Sequence, residues 1–431
     1  MLVLCVGFAY IWAANIRANA GGGVRGFDYV YYFDGARCLL GHTDPYTGQG
    51  PVLPDKEKPG PPIVKMAVNV PTAFLVATPV AMMPWKAGRN VWLGLVGGFL
   101  LLGALAMWDL GAACAPRISG LLACFMLLNC VLVLFGGNMA AISAASCALA
   151  VLCFVKDRFA WAGVVLLALG LVTKPHVVGL VWLYFLLAGG AGRKRALQAL
   201  GVAAFLGICA VVWIRPIAPH WMREIDSNLA QLSARGGSFD PGPTGVSEES
   251  FLPIISLQNA LSDFRDDARF YNPVSYLIVG GLVLVWGAAV LRKRTTREGA
   301  VLGVAAVSAL TLLPGYHRTY DAKILLLMIP ACAVLWAGGG ARRWIGLAMT
   351  SAAIFVTSDV PLIFWTTAMG KVAVSTSTLT GRMMLLALHP APLVLLAAGC
   401  FYLWVYIRYE PSGEDGRETA AEKWLDEAIA E

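Results

Sequence analysis

Arg89-Asn90-Val91-Trp92-Leu93-Gly94-Leu95-Val96-Gly97-Gly98-Phe99-Leu100-Leu101-Leu102-Gly103-Ala104-Leu105-Ala106-Met107-Trp108 is the stretch that decides the fold class. After Arg89 it holds no charged side chain. Its length matches the roughly 20 residues that a helix needs to cross a hydrocarbon core of about 30 Å. In hydrocarbon every backbone N–H and C=O needs a partner within the segment, so such a run becomes a helix. Similar runs recur along most of the 431 residues, of which 58% are hydrophobic and 14% charged. Soluble domains carry about 25% charged residues, and the short alternating segments of a β-barrel do not occur. The chain therefore reads as an all-α integral membrane protein.

Working outward, candidate spans fall at 1–16, 63–84, 89–108, 117–136, 138–155, 159–173, 176–191, 196–214, 272–291, 299–314, 321–340, 344–365 and 384–407. The apolar start, Leu2 to Ala14, lacks the positive n-region of a signal peptide and reads as a first anchor. Two long polar intervals remain, 17–62 and 215–271, together with a charged tail at 408–431. Positive charges mark the cytoplasmic side of a membrane protein. That rule places Lys86, Arg89, Lys156, Arg158, Arg193-Lys194-Arg195, Arg292-Lys293-Arg294, Arg342-Arg343, Arg408 and the tail inside, and the loop 17–62 outside. Alternation fails between Arg89 and Lys156 alone. The 117–136 segment, with Asn129 in its middle and Gly136-Gly137-Asn138 after it, reads as broken or re-entrant. About twelve spans then remain in one polytopic domain, 1–407.

The net charge of +7 is spread over short loops, so it reports topology and no nucleic-acid partner. The ten cysteines lie mostly inside apolar segments with no CxxC pair, which leaves disulfide and zinc readings without support. On this topology five polar sites share the outer face: the Asp28 loop, Gly136-Gly137-Asn138, Thr173-Lys174-Pro175-His176, the 215–271 loop, and Tyr316-His317-Arg318-Thr319-Tyr320-Asp321. Polar groups near membrane depth are costly and mark a pathway or a site.

The most loaded of these is Phe27-Asp28-Tyr29-Val30-Tyr31-Tyr32-Phe33-Asp34-Gly35-Ala36-Arg37. A carboxylate near a membrane surface has its pKa raised by desolvation and can serve as a general base; the plain alternative is an interfacial residue in a tyrosine belt. Asp34 and Arg37 are spaced to pair along a helix, and Asp44-Pro45-Tyr46 reads as a turn. Pro175 breaks the helix, so Lys174 and His176 point a cation and an imidazole at a helix end; snorkelling of the lysine is the alternative. In the block from Tyr316 to Lys323, His317, Arg318 and Lys323 supply potential cations, and a guanidinium grips phosphate in a fork. The 215–271 loop, with His220 and Asp266-Asp267, has the length of a lid; its acidic pair reads as solvated surface.

Asp28 with Tyr31-Tyr32, the run Ala36-Arg37-Cys38-Leu39-Leu40-Gly41-His42-Thr43-Asp44-Pro45-Tyr46, Pro61-Pro62 leading to Pro79, Pro84 and Trp92, Gly136-Gly137-Asn138, Thr173-Lys174-Pro175-His176 and the Tyr316 to Asp321 block occur in that order. Together they resemble the GT-C type polytopic glycosyltransferases, and more narrowly glycosyltransferase family 87, the polyprenol-phosphate-mannose-dependent α-mannosyltransferases. The chain departs from the family pattern at Gly137, where glutamine is frequent, and at His176, where Lys-Pro-Gln is. The resemblance implies a GT-C fold with membrane-parallel helices in the first outer loop over a cavity open to the outer face and the bilayer. It implies Asp28 as catalytic base and His317 or Arg318 on the donor phosphate. The expectation is transfer of a mannose-like hexose from a polyprenyl-phosphate sugar to a lipid or glycan acceptor, at the exterior or periplasmic face of the cell membrane. Lys174 and His176 join the phosphate group. Tyr31, Tyr32, Arg37, Asn138, Tyr316 and Tyr320 complete the substrate-binding set. No cofactor or metal is called for if basic side chains stabilise the phosphate. The alternatives are a flippase or transporter of lipid-linked sugars, which would carry an internal repeat that this chain lacks, and a ligase of preassembled glycan centred on His220.

Overall fold

A computed structural model describes residues 27–47, 67–242, 254–293, 296–359 and 378–410. The expected first anchor at 1–16, the Pro61-Pro62 pair and the tail from 411 onward lie outside the described residues. Among those described, the fold is all helical, and the one β-type contact is an isolated antiparallel bridge between Ile254 and Arg318.

In chain order the α-helices are α1 (Phe27–Leu40), α2 (Pro71–Ala81), α3 (Trp85–Ala112), α4 (Pro116–Leu128), α5 (Val131–Gly136), α6 (Ala140–Val155), α7 (Ala160–Thr173), α8 (Pro175–Ala188) and α9 (Gly190–Ile214). There follow α10 (Trp221–Leu232), α11 (Leu257–Ser262), α12 (Ala268–Arg292), α13 (Arg297–Leu310), a 3₁₀ helix (Asp321–Leu327), α14 (Met328–Ala337), α15 (Gly340–Val356), α16 (Leu379–Leu388) and α17 (Ala391–Arg408).

Four of these, α3, α9, α12 and α17, are long and apolar enough to cross a membrane. The opening stretch lies inside α3, whose 28 residues span about 42 Å at 1.5 Å per residue. Helices α9 and α12 turn large apolar side chains outward, among them Phe205, Ile208, Val212, Leu277 and Leu284. A soluble monomer rarely exposes apolar surface on this scale, whereas lipid tails accept it. The protein is a membrane protein on these grounds. Helices α2, α4, α6, α7 and α8 are apolar but shorter, 10–17 residues.

Several expected spans are subdivided. The 321–340 segment opens as the 3₁₀ helix before α14 begins. The 384–407 segment is two helices, α16 and α17, because Pro390 cannot continue a helix and holds His389 away from helical geometry. The 117–136 segment is broken at Asn129, with α4 stopping at Leu128 and α5 starting at Val131, but it is not re-entrant: it starts where Ser119 meets Gly111 near the Asp109–Lys156 pair and ends at Gly136 beside Asn138. Buried charges cover that break. Lys323 Nζ donates to the Asn129 carbonyl at 2.6 Å, and Asp359 Oδ2 accepts from Leu132 N at 2.8 Å. Free backbone groups at such depth are tolerated only when protein satisfies them.

Helix α6 is the hub. Its small residues, including Ala140, Ala141, Ser143, Ala144, Ala145, Ser146 and Ala148, are buried, and it packs closely on α3, α7 and the 3₁₀ helix. Small side chains let helix backbones approach where apolar lipid offers no hydrophobic drive to associate. One end of α6 follows Asn138. The other reaches Lys156, which pairs with Asp109 at 2.7 Å, beside an Arg195–Asp157 ion pair. Lys156 and Arg195, read as cytoplasmic, thus sit at the end of α6 opposite Asn138, whereas Lys86 and Arg89, read with them, open α3 at the Asn138 end, where Arg89 lies near Tyr29 and Trp92 donates to the Gly137 carbonyl.

Helix α1 is held by its aromatic face. Tyr29 lies 5.2 Å from Trp85 and 5.9 Å from Trp92 between ring centroids, and Phe33 lies 4.9 Å from Trp85. A Cβ on Gly35 would come within 2.2 Å of the Phe74 ring, so glycine there lets α1 settle on α2. Gly137 has φ +66°, and its carbonyl accepts from Trp92 Nε1 at 2.7 Å. Gly137→Ala meets that left-handed conformation together with Trp92 and Tyr29 atoms 3.2 Å from the new Cβ. It is expected to cost roughly 1–2 kcal/mol in thermal unfolding of the detergent-solubilised protein. Gly98→Ala in α3, with open space around the Cβ, serves as the control and should match or exceed wild type. Equal melting of wild type and Gly137→Ala would refute the account.

Candidate active site

The site is assembled at the Asn138 end of α6. Asn138 Oδ1 accepts from Ala140 N at 2.8 Å at the start of that helix, which leaves its amide nitrogen to donate to Asp28 Oδ2 at 3.0 Å. The turn through Gly137 sets this direction, and the aromatic face of α1 sets the position of Asp28. Burial raises the Asp28 pKa above its ordinary value of 3.8. The Asn138 hydrogen bond and the charges of Lys174 and Arg318 oppose that rise, and the Asp321 carboxylate adds to it. Tyr32, one turn further along α1, is buried; its hydroxyl pKa lies well above 10 through burial, with Asp28 pushing the same way.

Across from Asp28 lies a cationic group built round a carboxylate. Asp321, 1% exposed, accepts from Lys174 Nζ at 2.8 Å through Oδ1. Its Oδ2 accepts from the Arg318 backbone N–H at 3.1 Å and faces His317 Nδ1 at 3.5 Å. Lys174 also lies over the Tyr320 ring, 4.5 Å from the centroid. Thr311 Oγ1 donates to the His176 carbonyl at 2.9 Å, which fixes the start of α8. The His176 and His317 rings are 5.1 Å apart between centroids. The Tyr316 and Tyr320 hydroxyls meet at 3.4 Å. Burial lifts the Tyr316 hydroxyl to about 12, so it remains a hydrogen-bond donor at neutral pH.

The long loop covers this group. Arg318 Nη2 donates to the Ser238 carbonyl at 2.7 Å, and Phe239 stacks on Tyr316 at 3.8 Å. On the other side, Ile255 N donates to the His317 carbonyl at 2.9 Å. Asp240 holds the hook in shape by accepting from Gly236 N and Gly242 N at 2.8 and 2.9 Å. Asp266 and Asp267 are engaged by Arg235 and Arg265, and Asp267 also caps α12. His220 is exposed just before α10.

Asp28, Tyr32, Asn138, Lys174, His176, Tyr316, His317, Arg318 and Tyr320 are thus brought together from separate chain segments. Arg37 donates to the Ala81 carbonyl at 3.2 Å and lies over Phe33, and Tyr31, on the same helix, is 42% exposed. Lys323, grouped with His317 and Arg318 in the sequence, turns to the Asn129 break instead. Lys174 does not snorkel, because its ammonium is bound to Asp321. Asp321 is absent from the expected site set; its one sequence signal is an acidic residue at the end of a basic block.

Removing one partner from a buried ion pair strands the other charge at a cost of roughly 3–5 kcal/mol. Asp321→Asn should therefore unfold far more readily than wild type in detergent melts, while the pair Lys174→Met with Asp321→Leu recovers most of the loss. A melt of Asp321→Asn indistinguishable from wild type would remove Asp321 from the centre of the site. Compared with protein-family models, curated proteins and solved structures, the chain shows no match.

Proposed function

We propose that the protein is a GT-C type membrane glycosyltransferase, with about twelve spans, that transfers a mannose-like hexose from a polyprenyl-phosphate donor to a lipid or glycan acceptor. The single observation that carries this reading is the placement of Asp28, anchored by Asn138 at 3.0 Å, within the field of Lys174 and Arg318. A carboxylate base close to a group of cations is what glycosyl transfer from a phosphate leaving group needs.

In this mechanism Asp28 takes the proton of an acceptor hydroxyl as that oxygen bonds to the anomeric carbon. The bond from the anomeric carbon to the phosphate oxygen breaks, and polyprenyl phosphate leaves with the electron pair. The leaving group is already stabilised as an anion, so no general acid is required. Negative charge gathers on the phosphate in the transition state, where preorganised donors are most effective. Arg318, Lys174, His317 and His176 are the donors assigned to it. Tyr32 and Tyr316, protonated phenols, are assigned to sugar hydroxyls. One base without a covalent intermediate inverts the anomeric centre. Lys156 and Arg195 at the far end of α6 support an outer-face position for the site under the positive-inside rule.

Asp28→Asn preserves the size of the side chain and its contact with Asn138. It should keep the fold but lower turnover at least about a hundredfold, measured as release of polyprenyl phosphate from a panel of polyprenyl-phosphate sugars. Near wild-type turnover would sink the assignment. Protonated Asp28 cannot act as a base, so activity falls as pH drops through its pKa. Because burial raises that pKa, the acid limb of kcat/KM should lie above the ordinary carboxylate range near 3.8. The His176→Ala and Arg318→Ala variants should retain that limb if they retain turnover. A rate that is flat down to the ordinary carboxylate range would contradict the role.

A further inference from the structure

His176, His317 and Asp321 come from the start of α8 and from the segment that enters the 3₁₀ helix, yet they converge on one point. A ring nitrogen of each histidine and a carboxylate oxygen of Asp321 all lie within 4.8 Å of one another. His317 Nδ1 and Asp321 Oδ2 are 3.5 Å apart, longer than a good N–H···O hydrogen bond. A tetrahedral ion with bonds of about 2.1 Å spaces its ligand atoms about 3.4 Å apart. The separation thus suits two ligands on one ion better than a donor and its acceptor.

The surroundings agree. His317 and Asp321 are 2% and 1% exposed, so their orientation is set by packing. His176 is exposed, which leaves it room to swing inward and gives an ion a way in. Asp321 divides its oxygens: Oδ1 takes the Lys174 ammonium at 2.8 Å, and Oδ2 accepts from the Arg318 backbone N–H at 3.1 Å and faces His317. A ligating carboxylate is commonly steadied in this way by an outer hydrogen-bond donor. Two imidazoles and one carboxylate are a zinc donor set, and three protein ligands leave a fourth position open.

Charge gives a separate reason, which rests on the glycosyl-transfer reading. The ammonium of Lys174 is paired with Asp321, and the guanidinium of Arg318 donates to the Ser238 carbonyl within the field of Asp28, so two cations stand beside two carboxylates. A phosphate entering beside them adds negative charge that this balanced group does not offset, and a divalent ion does. The geometry points to a zinc site formed by His176, His317 and Asp321, with an open position that takes an anionic oxygen of the phosphate class. This departs from the metal-free expectation drawn from the sequence.

The test uses the full-length protein purified in detergent, stripped with chelator and re-equilibrated with zinc. Metal content is measured by mass spectrometry after desalting. In parallel, the visible absorption of the cobalt(II)-substituted protein is followed during titration with inorganic phosphate. Wild type should retain one zinc ion per chain. His176→Ala and His317→Ala should bind it at least about tenfold more weakly. Phosphate should shift the cobalt spectrum. His176→Ala is the informative variant because an exposed side chain is lost without disturbing the Lys174–Asp321 pair, and a cooperative melt verifies its fold. Wild type without stoichiometric zinc, or zinc held equally tightly by His176→Ala, overturns the site. A cobalt spectrum indifferent to phosphate overturns the open position. Metal content is read without any turnover, so failure here leaves the Asp28 mechanism standing, and an inactive protein that binds zinc removes that mechanism alone.

Discussion

The buried carboxylate of Asp321 is the constraint round which the site is organised. A single ionised group so deep would be prohibitively costly without partners, and Asp321 recruits them from two directions. Lys174 arrives from the α7–α8 corner, and the Arg318 backbone and His317 arrive from the segment just before it. The requirement to satisfy one carboxylate thereby brings α7, α8 and the 3₁₀ helix to a common corner. Buried ion pairs of this kind are weak sources of net stability but severe about geometry. Here the geometry is the useful product, since it holds two histidines and an arginine within reach of one another.

The Asp28 side of the site rests on aromatic packing. Aromatic packing of Tyr29 and Phe33 against Trp85 fixes α1, and the left-handed turn at Gly137, tied to Trp92, aims Asn138 at Asp28. The long loop covers the Asp321 side through Ser238 and Phe239. Burial raises the Asp28 pKa, while Lys174, one of the cations that would lower it, is engaged by Asp321.

A second buried charge group, Lys323 and Asp359, serves the scaffold. These residues satisfy the backbone where α4 gives way to α5. The break itself lies against the 3₁₀ helix, so the same short segment, 315–327, serves the site with its first half and the scaffold with its second.

Residue order alone is enough for the membrane class, because long apolar runs carry that information locally. It is also enough for the break near Asn129 and for most members of the site, since clusters of charge and tyrosine are conspicuous in an apolar chain. Tertiary structure alone decides what those residues do to one another. Asp28 meets Asn138 across 110 residues, Lys174 meets Asp321 across 147, and Leu132 meets Asp359 across 227. No local pattern encodes a partner at such distance. That is why Lys323 reads as a member of the basic block although it belongs to the break, why Arg37 reads as a ligand although it reaches the Ala81 carbonyl, and why Asp321 does not stand out. Residue type shows that a charge needs a partner; only the packing of helices shows which one it finds.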